Sequence, residues 1–405
     1  MSRLSSLVGT TRAAVLTVAF LGVAGSGCSS GGGDATGGAG SGGETLPSWL
    51  ATGPHSFPQN KASGACTLTS AAGASATVQS VYTNWKAAFV TSSGAPSGAM
   101  RVVDPQSVRC GSSNVASATV SEGMGYGMLA AVYMADRTTF DGLLAYVNAH
   151  LDAKGLMNWC IDSGGNTLGM GSATDADEDI AWSVIMAASQ WSSGSYYATG
   201  KSMINAMYGS ELAGDGTLGI GDNGSGTMVY PDYFSPAYYR VFAKVTSANW
   251  GSIVIDRNYT ILSAVSGTDG LVPNSANTSS LSATGTYGYD SCRAPWRIAL
   301  DYCFNGEQRA KDYLDKIGGF FNTVGAANIC DSYDTATGNQ GSSCNHNMAF
   351  IGPAGVAGMA GWPTLLDGAF SFGTSSAGDS AYFTNSLRVV TMLVMSGNFL
   401  DYSQQ

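Results

Sequence analysis

Ala173–Trp191 reads ATDADEDIAWSVIMAASQW, and its reading decides the fold. Asp175, Asp177, Glu178 and Asp179 fall within five positions, although charged residues make up only 11% of the chain. Acids at a helix start suit free backbone N–H groups and the positive end of the dipole. Capping accounts for one or two acids, not four. Ile180, Val184, Ala188 and Trp191 recur at helical spacing, so the segment is expected to be a helix packed into a core. Its acidic end then lies where a pocket can open.

Working outward, similar patterns predict helices over Thr77–Thr91, Ser121–Ala135, Pro236–Val245, Pro295–Phe304, Glu307–Thr323 and Ser386–Ser396. Pro295 suits a first helical turn, and Gly306 stops that helix. Short strands are expected near Met228–Phe234. Helices separated by Gly, Ser and Asn loops, without a strong sequence repeat, indicate an all-α toroid. Trp85, Trp182 and Trp191 are assigned to its core.

The first 27 residues look like an export signal, with Arg3 and Arg12 ahead of the apolar run Ala13–Ala24. Cys28 follows in a lipobox-like setting, which leaves lipid anchoring and simple secretion both open. Residues 28–46 read as a Gly/Ser-rich tether. Residues 47–405 form the remaining domain, a length that suits a barrel or toroid. Without the first 27 residues, 16 basic and 28 acidic residues remain. That acidic balance argues against nucleic acid and polyanionic partners. Eight Cys are present, and export permits disulfides. Spacing does not fix their connectivity; Cys330–Cys344 is the first expected pair and Cys66–Cys110 the second.

Three acids stand out as candidates for chemistry. Glu122 lies in SEGMGYGM (121–128), among glycines and aromatics at a helix start, where desolvation raises a carboxyl pKa. Asp175 opens the acidic cluster. Asp290 lies in YGYDSCRAPWR (287–297), near Arg293. Paired acids with nearby Tyr126, Trp159, Tyr233 and Tyr289 suit glycoside hydrolysis: one carboxyl protonates the leaving oxygen, another activates water, and rings stack on sugars. Three His (His55, His150, His346) without paired Cys ligands or an HExxH motif argue against catalytic zinc. No cofactor is expected.

Three blocks in order, 121–128, 173–191 and YDSCRAPWRIALDY at 289–302, resemble glycoside hydrolase family 8. Weaker blocks agree: NWCID (158–162), PDYFSPAYYRVFA (231–243) and FIGPAGVAGM (350–359). The resemblance implies an (α/α)6 barrel of six inner and six outer helices, with a cleft at one end and an inverting mechanism. It implies Glu122 as general acid, Asp290 as base and Asp175 as the residue gripping the central sugar. Trp159 and Tyr289 become stacking residues, Tyr233 a holder of the attacking water, and Arg293 the residue steadying the base. Tyr126 joins them as a substrate contact. Asp177, Glu178 and Asp179 revert to capping and structural pairing. The chain is thus expected to be an exported or lipid-anchored monomeric endo-β-1,4-glucanase. Xylan- or chitosan-cleaving activity is the alternative within the family, and a non-catalytic glycan-binding protein or a polysaccharide lyase the alternative outside it.

Overall fold

The computed structural model describes residues 44–111, 113–224, 227–375 and 381–405. The expected export signal, Cys28 and most of the tether lie outside them. Twelve helices follow in sequence: α1 (Ala74–Phe89), α2 (Ser121–Tyr133), α3 (Arg137–Ala149), α4 (Thr174–Gln190), α5 (Gly194–Ser210), α6 (Pro236–Thr246), α7 (Asp256–Val265), α8 (Ala294–Asn305), α9 (Gln308–Val324), α10 (Met348–Gly358), α11 (Pro363–Ser375) and α12 (Tyr382–Met395).

The even-numbered helices form the inner ring of an (α/α)6 barrel. Helix α2 packs on α4, α6 on α8, α8 on α10, α10 on α12, and α12 closes back on α2. The α4–α6 seam is made by side chains, with Trp182 stacked on Tyr238 at 4.3 Å between ring centroids. Among the odd-numbered helices, α3 lies against α2, α5 against α4, α9 against α8 and α10, and α11 against α10.

Burial explains the sequence pattern. Every residue of α4 and α10 is buried. A helix enclosed all round need not carry a one-sided apolar stripe, and α10 shows none, although α4 still shows helical apolar spacing. Helix α10 even carries Pro353 in its interior and was not anticipated. The outer α9 buries Ala310, Tyr313, Leu314, Ile317 and Phe321 along one face, the amphipathic pattern expected for it. Helix α3 had a readable signal that was passed over: Asp136 caps the N–H of Thr139, ahead of Phe140, Leu143, Leu144 and Val147.

A short strand does occur near Met228–Phe234, limited to Met228–Val229 and paired with Ala276–Asn277; Pro231 then turns the chain into a 3-10 turn, Pro231–Tyr233. One disulfide expectation needs correction. Cys66 does not pair with Cys110. The disulfides are Cys66–Cys303, Cys110–Cys160 and Cys330–Cys344, and Cys292 is a buried free thiol.

All six inner helices begin at the same end of the barrel. The other end is sealed by an extended strap preceding α1. Gly53 donates its N–H to Ser189 at the end of α4, Thr67 to Met359 beyond α10, and Thr69 to Met395 at the end of α12. The Cys66–Cys303 bond fixes the strap to α8.

Candidate active site

The residues around the inner-helix N-termini enclose a cleft of 1120 Å³. Glu122, Trp159, Asp175, Tyr233, Tyr289 and Asp290 all line it, so six of the eight expected site residues meet there. Their segments converge because the inner ring is parallel, and its helix dipoles direct their positive ends at these carboxyls.

Arg293, on the 3-10 turn Ser291–Arg293 before α8, is the hub beneath the cleft floor. Its Nη1 donates to Glu122 Oε2 and to Asp175 Oδ2, the latter at 2.7 Å. Its Nη2 lies 2.6 Å from Asp232 Oδ2 and 3.9 Å from Asp290 Oδ1. The guanidinium sits 5.4 Å from the Tyr233 ring centroid and 5.9 Å from that of Phe383. Arg293 therefore contacts the base only at its longest reach and binds Asp175, Glu122 and Asp232 more closely. It is buried and, unlike the equally buried Asp175, does not line the cleft, so it acts through these groups and not by touching a sugar.

Tyr126 also departs from expectation. It is fully buried in α2, with its hydroxyl 3.4 Å from Arg293 Nη1. It supports the hub from behind and has no surface for substrate.

Glu122 receives a second hydrogen bond, from the Tyr382 hydroxyl to Oε1 at 2.8 Å. Burial raises its pKa to about 7, opposed by Arg293 and the Tyr382 bond and reinforced by Asp175 and Asp290. A carboxyl so placed keeps a proton to donate near neutrality. The Asp290 side chain is 51% exposed. Partial burial still raises its pKa, against the pull of Arg293. Opposite nitrogens of one guanidinium reach Glu122 and Asp290, which keeps those oxygens closer than the roughly 9.5 Å ceiling for an inverting pair.

The remaining acids of the opening motif are structural. None caps α4, whose start has no side-chain hydrogen bond at the N-cap Ala173, so the capping expectation fails. Asp179 takes a two-pronged bond from Arg297, at 3.0 and 2.8 Å. Glu178 accepts from the Tyr239 hydroxyl at 2.5 Å. Asp177 lies against Glu211, and burial first, then that neighbour, pushes its pKa well up. One proton shared between them satisfies this dry carboxyl pair.

Trp159 is placed by its neighbours: Ser121 donates its N–H to the Trp159 carbonyl, beside Glu122. A side chain at Gly169 would put its Cβ 2.3 Å from the indole, so only glycine leaves the ring room. Cys330, Cys344 and His346 have metal-like spacing, but the two sulfurs are joined in a disulfide and are lost as ligands.

Sequence reasoning missed Asp232, Tyr382, Phe383 and Asn347. Asp232 was within reach, since it precedes Tyr233 in the weaker block 231–243. Tyr382 and Phe383 sit outside every quoted block and carry no local signal.

Comparison with known proteins identifies the family. The model described as glycosyl hydrolases family 8 matches residues 57–397. Endoglucanase C of Ruminiclostridium cellulolyticum is 39% identical over 338 residues, covering 80% of this chain and 71% of that protein. A β-glucanase of Niallia circulans is 37% identical over 325 residues, covering 70% of this chain and 78% of the relative. Among solved structures, the apo β-1,3-1,4-glucanase from Paenibacillus sp. X4 superposes with a TM-score of 0.77 at 29% identity, covering 86% of this chain and 99% of that one.

Proposed function

The chain belongs to glycosyl hydrolases family 8, and from that premise we propose that it is an exported, inverting endo-β-1,4-glucanase acting on cellulose-type or mixed-linkage β-glucan. The observation that carries the reading is the meeting of Glu122 and Asp290 in one cleft, with Asp175 beside them on the same guanidinium. Glu122, protonated near pH 7, gives its proton to the departing glycosidic oxygen. Asp290, ionised and open to solvent, removes a proton from water attacking the opposite face of the sugar. Asp175 accepts hydrogen bonds from the sugar held between them. Trp159 and Tyr289 offer ring faces to flanking sugars.

Glucan-active relatives favour a β-glucan over xylan. Retention of Asp290 disfavours chitosan, because the family's chitosan-cleaving branch is marked by loss of the base at that position. Three disulfides suit an oxidising compartment, which supports export. Acylation at Cys28 is part of this proposal and is read by mass spectrometry of the membrane-extracted protein.

Glu122→Gln and Asp290→Asn are each expected to lose at least about 10³-fold in kcat while staying folded, in line with removal of an acid or base. Substantial retained activity in either would overturn the assignment. NMR of early product should show the α-anomer; immediate β-anomer would exclude inversion. Rates on carboxymethyl-cellulose, lichenan, xylan and chitosan fix the preference.

A further inference from the structure

Asp290 has an exposed carboxyl on an irregular segment, yet the chain around it is bonded on two sides. On one side, the Asn274 side-chain Oδ1 accepts from the Gly288 N–H (3.0 Å), the Ser291 N–H (3.1 Å) and the Ser291 hydroxyl (2.9 Å). On the other, the Tyr289 hydroxyl donates to Asp331 Oδ2 at 2.9 Å and accepts from Asn347 Nδ2 at 3.1 Å. Asp331 is itself fixed, accepting from Ser343 Oγ at 3.0 Å inside the loop closed by Cys330–Cys344 and from Asn345 Nδ2 at 2.6 Å just beyond it. Asp331 is 2% exposed, and neither it nor Asn274 lines the cleft. They hold residues 288–291 jointly with Asn347 on the Tyr289 hydroxyl, Arg293 Nε on the Asp290 carbonyl (3.2 Å) and the Cys292 thiol on the Tyr289 carbonyl (3.2 Å).

A half-exposed base needs this support. Its attack geometry is set by the backbone that carries it, and displacements near 1 Å cost on the order of 10²-fold in rate. We propose that Asn274 and Asp331 are positioning residues, gripping the backbone before Ser291 and the Tyr289 ring on either side of Asp290 and so setting where the base stands. The proposal rests on the reading of Asp290 as the base.

The test uses the full-length chain, with variants Tyr289→Phe, Asp331→Ala, their double variant, and Asn274→Ala. Each single variant is expected to lower kcat on lichenan by roughly 10- to 100-fold. Binding of a cello-oligosaccharide, measured with each change added to Glu122→Gln, should stay within about threefold of that parent, because positioning acts on the reaction step. The double variant should be no worse than the poorer single, since both changes cut one connection. Singles within about twofold of the parent, losses that multiply in the double variant, or a loss confined to binding would each overturn the proposal. If Asp331→Ala fails to fold, Tyr289→Phe, which keeps the ring, decides the question alone. An Asp290→Asn variant that stays active would instead remove the underlying reading, a result distinct from any of these.

Discussion

Arg293 holds one positive charge against Glu122, Asp175, Asp232 and Asp290, so the site cannot carry all four carboxyls ionised at low cost. Burial pushes both Glu122 and Asp232 up to about 7. Kinetics should report this directly. Because Glu122 must be protonated to act as acid, kcat/KM is expected to fall as pH rises through about 7. If Asp290 is the base it must be ionised, so the rate also falls at low pH, at a point shifted up from the usual aspartate value by burial. Tyr382→Phe removes a hydrogen bond that favours the Glu122 carboxylate, and the alkaline limb should move to higher pH. An unmoved or lowered limb in the pH profile would mean another group governs it.

At the scale of elements, α2 and α4 meet unusually closely. A Cβ at Gly125 would stand 2.9 Å from the Asp179 Cβ. Gly125→Ala should therefore destabilise by roughly 1–3 kcal/mol through overpacking, visible as a lower midpoint in urea. The glycines of 121–128 were read from sequence as the setting of Glu122; their packing role needed the partner helix to be seen. The same two-helix view explains the acids of α4. Burial lifts the Glu211 carboxyl from its ordinary 4.5 to about 7, beside Asp177. A raised carboxyl pKa means the folded state holds a proton the unfolded chain releases. Its stabilising contribution is complete below the unfolded value and is lost as pH rises towards and through about 7. Glu211→Gln should therefore flatten the decline of melting temperature between about pH 5 and pH 8.

Across the whole molecule, legibility followed local signal and not position in the ring. Outer α1 and α9 kept a polar face and a readable period, and inner α2, α4, α6, α8 and α12 were readable as well. Inner α10, with Gly352, Pro353 and Gly355, defied local propensity outright. Its enclosure in the ring overrides what its residues prefer alone. That Glu122, Asp175 and Asp290 would meet in one cleft was legible because acids stood out in a chain poor in charge. Tyr126 was misjudged because sequence proximity to Glu122 says nothing about which side of α2 meets the cleft. Asp331 and Asn274 were invisible, since their significance comes from contacts 42 and 17 residues away along the chain.

The strap that seals the barrel also brings the beginning and end of the described chain together. Ala51 donates its N–H to the Tyr402 carbonyl at 3.1 Å, and Lys61 Nζ reaches Gln405 Oε1 at 2.8 Å. A closed ring whose two chain ends adjoin has no obligatory starting point. Circular permutation should therefore be tolerated. Residue 405 joined to residue 44 by a short Gly/Ser linker, with new ends at the exposed turn Gly214–Asp215, is expected to keep the helical circular dichroism and the glucan-hydrolysing rate of the parent. Loss of folding in that permutant would show that the order in which the helices are made, and not only their final neighbours, is needed to close the ring.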